Sequence, residues 1–146
     1  MSLKQWAANG WLKSHKTSRE EIRNLLSIAD RDITDASEKI SPDGSLSHSY
    51  NAVLNLARIL LAAEGYRSER NLQHYRTIQA IPLILGEDYR KDVDYLDAVR
   101  MKRNVAEYEI AGAATDHDAQ EIRDFAREFQ KVVINWLRSH HPELIE

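Results

Sequence analysis

The fold is decided by the stretch from Ser45 to Glu64, which reads Ser-Leu-Ser-His-Ser-Tyr-Asn-Ala-Val-Leu-Asn-Leu-Ala-Arg-Ile-Leu-Leu-Ala-Ala-Glu. Wound into a helix, it carries apolar side chains around most of its circumference, namely Tyr50, Val53, Leu54, Leu56, Ala57, Ile59, Leu60 and Leu61. A helix with that pattern is stable only when other elements cover it on several sides. We therefore predict that it lies at the centre of a helical bundle and that Gly65 ends it.

The segment before this helix predicts a second helix with one apolar face. Thr17-Ser-Arg-Glu-Glu21 has the spacing of a capping box, in which a Ser or Thr side chain and a later Glu satisfy free backbone N–H groups. The apolar face that follows consists of Ile22, Leu25, Leu26, Ala29, Ile33, Ala36 and Ile40. Ser41-Pro-Asp-Gly44 is predicted to end this helix.

Three further helices are predicted after the central one. A loop around Tyr66–Arg70 leads to a short helix near Leu72–Ile84, and a longer helix runs from about Asp88 to Ala111. Thr115-Asp-His-Asp118 begins the last helix, whose apolar face is the most regular: Ile122, Phe125, Ala126, Phe129, Val132, Val133, Trp136 and Leu137. No segment is a convincing strand.

These elements predict an all-α fold, an antiparallel bundle of four long helices plus a short helix. The connections are short, and the sequence has no internal repeat and no domain boundary, so we expect a single domain over residues 1–146. Residues 1–16 are predicted to form an N-terminal arm that packs Trp6 and Trp11 against the rest of the domain.

Composition excludes several functional classes. The formal net charge of −3 gives no overall attraction to nucleic acid, so any RNA or DNA contact needs a local basic patch. The absence of Cys removes disulfides, thiolate catalysis and Cys-based metal centres. The sequence contains neither a signal-peptide pattern nor a membrane-spanning run, so we expect a soluble, cytoplasmic protein with no membrane contact.

We expect no metal site and no cofactor. None of the six histidines has another His four residues away or a Glu three residues before it, the spacings that place two ligands on one helix face. His140 and His141 are adjacent, and a solvated helix end explains them best. The Gly-x-Ser-x-Gly elbow of serine hydrolases and the glycine-rich loop of nucleotide-binding folds are both absent.

The most unusual stretch is Arg100-Met-Lys-Arg-Asn-Val-Ala-Glu-Tyr-Glu109, which puts charge where a helix should bury apolar surface. At about 100° per residue, Arg100, Arg103 and Glu107 fall on the apolar stripe of this helix. The other members of that stripe are Val93, Leu96, Val99 and Ile110. A guanidinium faces a core only when it is paired or belongs to a site. Two interpretations stay open. Either Arg103 and Glu107 form an ion pair within the chain, or the charged stripe belongs to a dimer interface or an anion-binding cleft.

A second polar and aromatic group surrounds the central helix. Tyr50 and Asn51 lie on this helix, and His74 and Tyr75 come at the start of the next one. Packed tyrosines whose hydroxyls reach water would explain the group without a function. Among the histidines, His74 is the best functional candidate, because it opens a helix beside the central one.

The order of these elements resembles the HEPN superfamily of small four- or five-helix proteins, which are widespread in prokaryotes. In that family a central helix carries an Ala-rich, Tyr-containing run, followed by a Gly-containing turn and a His before a short helix. Residues 49–65 and His74 look like these features. The family signature on a late helix is an Arg, usually followed by Asn or Asp, with a His after four to six intervening residues. Arg103-Asn104 matches its start, and the resemblance covers roughly residues 18–138.

The His of the family signature is missing from this chain. Counted from Arg103, it should fall at Tyr108, Glu109 or Ile110. In active members the resemblance implies metal-independent RNA cleavage at a dimer interface, where the Arg stabilises charge on the phosphate and the His acts as general acid or base at the 2′-oxygen. Tyr108 occupies the nearest equivalent position, but a phenol with an ordinary pKa near 10 is a poor base at neutral pH.

Three functions stay open on this basis. The one we favour is a non-catalytic or weakly active HEPN-like homodimer that binds RNA, a nucleotide or an antitoxin-like protein in a prokaryotic defence or toxin–antitoxin setting. The second is a metal-independent endoribonuclease, and the third is a helical adaptor whose charged stripe is only a dimer seam. The candidate residues for chemistry are Arg103, Asn104, Tyr108 and His74, and those for binding or the interface are Arg100, Glu107, Tyr50 and Asn51.

Overall fold

The structure, a computed structural model, describes residues 1–146. Its helices and strands follow one another as α1 (Leu3–Ala8), β1 (Leu12–Ser14), α2 (Arg19–Ala36), α3 (Pro42–Ala63), β2 (Tyr66–Ser68), α4 (Gln73–Gln79), α5 (Ile81–Leu85), α6 (Arg90–Tyr108) and α7 (Asp116–His140). Short 3-10 helices at Glu87–Tyr89 and Pro142–Leu144 precede α6 and follow α7. No helix combines the length and the apolar content that a bilayer crossing requires.

Helix α3 lies at the centre of the bundle. It packs along α2 and α7, and α6, α4 and β2 contact its remaining sides. Its side chains at Leu56, Ile59 and Leu60 are fully buried, as expected for a helix that is apolar on most of its circumference. The predicted all-α bundle is therefore confirmed, with α2, α3, α6 and α7 as its four long helices.

The start of α3 differs from the prediction. The helix begins at Pro42 rather than Ser45, and the Ser41 hydroxyl accepts a hydrogen bond from the backbone N–H of Gly44 at 3.1 Å. Proline suits the first turn of a helix because its missing N–H would have had no partner there. The preceding helix ends at Ala36, so Ile40 lies in the connection and is exposed, instead of packing on the apolar face.

Two three-residue strands were missed by the sequence analysis. β1 and β2 pair in antiparallel register, with Leu12 opposite Ser68. This ribbon, which includes part of the predicted loop at 66–70, fastens the N-terminal arm to the end of α3. Inside it, Trp6 and Leu12 are buried together, and the Trp11 ring meets the Trp6 ring edge-on at 5.6 Å. Strands this short carry too few alternations for a period of two to be recognised.

The helices around α6 also have different limits from those predicted. The predicted helix at 72–84 is two helices, α4 and α5, because Pro82 cannot donate a backbone hydrogen bond and its ring crowds the preceding turn. Helix α6 ends at Tyr108 rather than Ala111. Ile110 therefore leaves the predicted apolar stripe, and 64% of it is exposed.

The loop between α6 and α7 is anchored to two neighbouring helices. The Asp43 carboxylate, at the start of α3, accepts backbone hydrogen bonds from Gly112 at 2.6 Å and Ala114 at 2.9 Å. At the start of α7, Thr115 and Asp118 form a reciprocal capping box, and Asp118 also accepts a hydrogen bond from Lys102 Nζ at 2.9 Å. These contacts fix the C-terminal half of α6 relative to α3 and α7.

We expect Asp118→Asn to lower the free energy of unfolding at neutral pH by about 1 kcal/mol, the usual contribution of a cap. Hydrogen bonds from the Thr115 backbone and Lys102 lower the pKa of Asp118 from 3.8 to about 2. The carboxylate therefore stabilises the fold above pH 3.8, and this contribution is lost as the pH falls towards 2. Urea unfolding at pH 7 and at pH 2.5 measures the difference.

Asp116→Asn is the matched control, because it removes the same charge from the same helix end without a side-chain hydrogen bond. We expect this variant to lose less stability than Asp118→Asn at pH 7. Equal losses in the two variants would mean that the helix dipole, and not the capping box with Lys102, stabilises this end.

Candidate functional site

Arg103 lies where the sequence placed it, on the side of α6 that faces α3. Only 16% of its side chain is exposed. Its guanidinium carbon is 5.6 Å from the centre of the Tyr50 ring, and Tyr50 is completely buried in α3. A cation at this distance from a ring face is attracted by the negative face of the aromatic system. Arg103 and Tyr50 thus form the most buried part of a polar cluster between α3 and α6.

Glu107 is the acidic partner of Arg103. Its Oε1 lies 3.4 Å from Arg103 Nε, and the same oxygen accepts a hydrogen bond from the Ser47 hydroxyl of α3 at 3.1 Å. Arg103 Nε is buried and has no well-aligned hydrogen-bond acceptor. The pairing of Arg103 with Glu107 is therefore present but leaves a buried donor without a good partner, which a purely structural ion pair would avoid.

Arg100 pairs with an acidic residue other than Glu107. It binds Asp97 one turn earlier, with Nε and Nη2 at 3.1 and 3.0 Å from the same carboxylate oxygen. Its guanidinium carbon is 5.9 Å from the centre of the Tyr75 ring on α4. The geometry favours Asp97 because residues three apart on a helix lie on adjacent turns of one face. Arg100 therefore connects α6 with α4.

His74, the second residue of α4, lies within the electrostatic field of both arginines. Partial burial, together with the positive charges of Arg103, Arg100 and Arg58, lowers the pKa of His74 below its ordinary value of 6.5. The imidazole is therefore neutral at physiological pH. His74 is also exposed to solvent.

Tyr50 is held in its protonated form. Burial raises the pKa of Tyr50 to about 12, although the charges of Arg100 and Arg103 act in the opposite direction. Its hydroxyl is buried and has no hydrogen-bond partner. This group can donate a hydrogen bond but cannot serve as a base near neutral pH. Five predicted residues thus converge, and we call them the α6 cluster: Tyr50, His74, Arg100, Arg103 and Glu107.

Three predicted site residues take no part in this cluster. Tyr108 is 78% exposed and lies about 140° around the helix axis from Arg103. Asn104 and Asn51 make no side-chain hydrogen bond to any member of the cluster; the Asn51 carbonyl accepts one from Asn55 instead. Tyr108 is thus unsuited to replace the missing His beside Arg103 of the same chain.

A group of exposed hydrophobic residues, which we call the apolar rim, lies on α4 and on the side of α6 away from Arg103. Of the seven large hydrophobic residues that the chain exposes, five lie on α4, α6 or the residues next to them: Leu72, Tyr75, Met101, Tyr108 and Ile110. Met101 and Tyr108 are seven residues apart and therefore point to the same side of α6. The sequence did not predict this rim, because apolar periodicity alone does not reveal which side of a helix is covered by a neighbouring helix.

A second group of polar residues lies between α2 and α3 and was also missed. One ligand atom from each of Asp32, Asp35 and His48 lies within 4.8 Å of the others. These residues could hold a metal ion. The spacing of ligands within one helix does not reveal this group, because its residues come from two helices. Asp32 and Asp35 are three residues apart on α2, which was the only signal that the sequence offered.

Comparisons of this chain with protein-family models, with curated proteins and with solved structures found no match.

Proposed function

We propose that this protein is a HEPN-like homodimer that binds RNA or a nucleotide through the α6 cluster and does not cleave it. The observation that supports the proposal is the position of Arg103 over the buried ring of Tyr50, with Arg100 one turn away on α6 and His74 within the electrostatic field of both arginines. The HEPN resemblance assigns phosphate handling to the Arg that begins the signature, and Arg103 is that residue.

Arginine is suited to this role because its guanidinium donates several hydrogen bonds in a fixed plane that matches phosphate oxygens. Asp97 and Glu107 reduce the positive charge of the cluster, so it is a weak anion site by itself. Binding therefore requires contacts from several phosphates or from two protomers. With a net charge of −3 over the chain, the interaction depends on this local patch.

Weak or absent cleavage follows from the groups around Arg103. The signature His is replaced, Tyr108 points away from the cluster, and Tyr50 stays protonated near neutral pH. Transfer of a proton from a ribose 2′-oxygen needs a base with a pKa near the working pH. In the α6 cluster only His74 could serve as that base, and its lowered pKa makes it a weaker one.

The apolar rim supports the dimer. Met101 and Tyr108 expose 58% and 78% of their surface on one side of α6, and such neighbouring apolar residues are typical of an interface. Two α6 helices packed through this side would form the dimer, while Arg103 of each protomer stays on the side of α6 that faces α3. In a toxin–antitoxin or defence setting, an antitoxin-like partner would bind the α6 cluster in competition with RNA.

We expect Arg103→Gln and Arg100→Gln each to weaken binding of a short, fluorescein-labelled single-stranded RNA about tenfold at low salt, the loss of one charged phosphate contact. Fluorescence anisotropy gives the affinity, and circular dichroism checks the fold. Arg90→Gln is the matched control, because Arg90 begins the same helix and is paired with Glu87 away from the cluster. Wild-type protein that binds no RNA, or equal losses in all three variants, would contradict the proposal.

A second candidate function, a metal-independent endoribonuclease, is favoured by one observation. The positive charges of Arg103 and Arg100 help to lower the pKa of His74, which keeps its imidazole neutral near pH 7, as a general base at a phosphate must be. Incubation of the wild type, His74→Ala and Arg103→Gln with structured and single-stranded RNA separates the two functions. We expect no cleavage by any of them. Cleavage that both substitutions abolish would establish the nuclease.

Binding should depend on pH through His74. Because the pKa of His74 is lowered, the ring gains its charge only as the pH falls below 6.5, and the added charge strengthens phosphate binding. We expect RNA affinity to increase between pH 7 and pH 5.5 in the wild type and to increase less in His74→Ala. An identical pH dependence in the two proteins would remove His74 from the site.

Introducing charge into the apolar rim should separate the protomers. We expect Met101→Glu and Tyr108→Glu to shift the protein from dimer to monomer in sedimentation velocity. Ile40→Glu is the control, because Ile40 is an exposed hydrophobic residue between α2 and α3, outside the rim. A wild type that sediments as a monomer at all accessible concentrations would contradict the dimer.

A further inference from the structure

Asp32, Asp35 and His48 form a compact group of metal-ligand atoms between the two helices that pack most extensively. Asp32 and Asp35 lie one turn apart on one face of α2, near its C-terminal end. His48 lies on the facing side of α3, and its Nδ1 is 3.1 Å from Asp32 Oδ1. The three ligand atoms lie within 4.8 Å of one another, which is a separation that a single ion can bridge.

The Asp32 carboxylate is unusual because it is buried without a cationic side chain. Only 9% of its side chain is exposed. Its one polar contact is His48, which belongs to the same group, and no Lys or Arg nitrogen lies within 4.0 Å of it. A buried carboxylate is ordinarily compensated by a paired cation or by several hydrogen-bond donors. Asp32 therefore lacks a partner outside the group.

Asp35 adds a second negative charge to the group. It brings a second carboxylate to within 4.8 Å, and this carboxylate has no hydrogen-bond donor or Lys or Arg partner among the side-chain contacts of the structure. A hydrogen bond from His48 Nδ1 to Asp32 would satisfy one oxygen and leave Asp35 uncompensated. A divalent cation would neutralise both carboxylates at once.

From this geometry we propose that Asp32, Asp35 and His48 bind a divalent first-row transition cation of the Zn²⁺ type. Carboxylate oxygens and imidazole nitrogens are both zinc ligands, and imidazole favours such a cation over Mg²⁺ or Ca²⁺. Three protein ligands leave a fourth position for water. His48 is 39% exposed, which gives the ion a path from solvent.

The bound ion would join α2 to α3 near their connection. Both helices contribute side chains that bind the ion. Because the ion binds only the folded state, it stabilises the packing of α2 against α3. Ser47, the residue before His48, donates a hydrogen bond to Glu107 of the α6 cluster. The metal site itself does not depend on the proposed RNA binding.

Calorimetric titration and thermal unfolding of tag-free, chelator-treated protein test this site. With Zn²⁺ at a hundredfold excess over its Kd, we expect one ion to bind per chain and Tm to rise by about 5 to 10 °C. Mg²⁺ at the same concentration should give a far smaller shift. Binding of Mg²⁺ as tight as that of Zn²⁺, or no binding of Zn²⁺, would overturn the proposal.

Asp35→Asn and His48→Gln should each weaken Zn²⁺ binding by more than about tenfold. Without metal, Asp35→Asn should keep or raise Tm, because it removes repulsion between the two carboxylates. Its fold therefore stays intact while the Zn²⁺-dependent shift is lost.

A double variant, His140→Gln with His141→Gln, is the control for adventitious binding at the adjacent histidines of the C-terminal end. It should retain the Zn²⁺-dependent shift. If this variant loses Zn²⁺ binding while Asp35→Asn and His48→Gln retain it, the ion binds at the C-terminal end and the proposed site is wrong.

Discussion

The structure depends on the burial of α3, which is apolar around most of its circumference and therefore needs a neighbour on every side. Helices α2 and α7 cover two sides with regular apolar faces, and the β1–β2 ribbon with α4 covers its C-terminal end. Helix α6 is the exception. Its first half contributes Val93, Leu96 and Val99 to the core, whereas its second half places Arg103 against α3.

That second half explains the properties of the α6 cluster. Arg103 contacts the buried ring of Tyr50, and its Nε and the Tyr50 hydroxyl both lack good hydrogen-bond partners. An apolar residue of similar length in place of Arg103 would cover α3 without leaving a buried guanidinium nitrogen unpaired. The unpaired Nε of Arg103 is the feature on which the proposed binding role rests.

The sequence predicted those features that depend on local pattern. Apolar periodicity located α3, α2 and α7, capping signals located Ser18 and Thr115, and the charged stripe located Arg103. Features set by neighbours distant in sequence were not predictable in this way. The β1–β2 pair, the exposed position of Ile110 and the group of Asp32, Asp35 and His48 all arise from contacts that periodicity does not encode. The HEPN resemblance directed attention to Arg103, and its role in binding stays a prediction.

The central claim is that Arg103 is retained for binding and not for stability. Measuring both the free energy of unfolding and the RNA affinity of Arg103→Met tests it most directly, because methionine preserves the packing against Tyr50 and removes the charge. The account predicts a change in unfolding free energy within about 1 kcal/mol and a loss of RNA affinity of about tenfold or more. A loss of about 3 kcal/mol or more in stability, with RNA affinity unchanged, would contradict it.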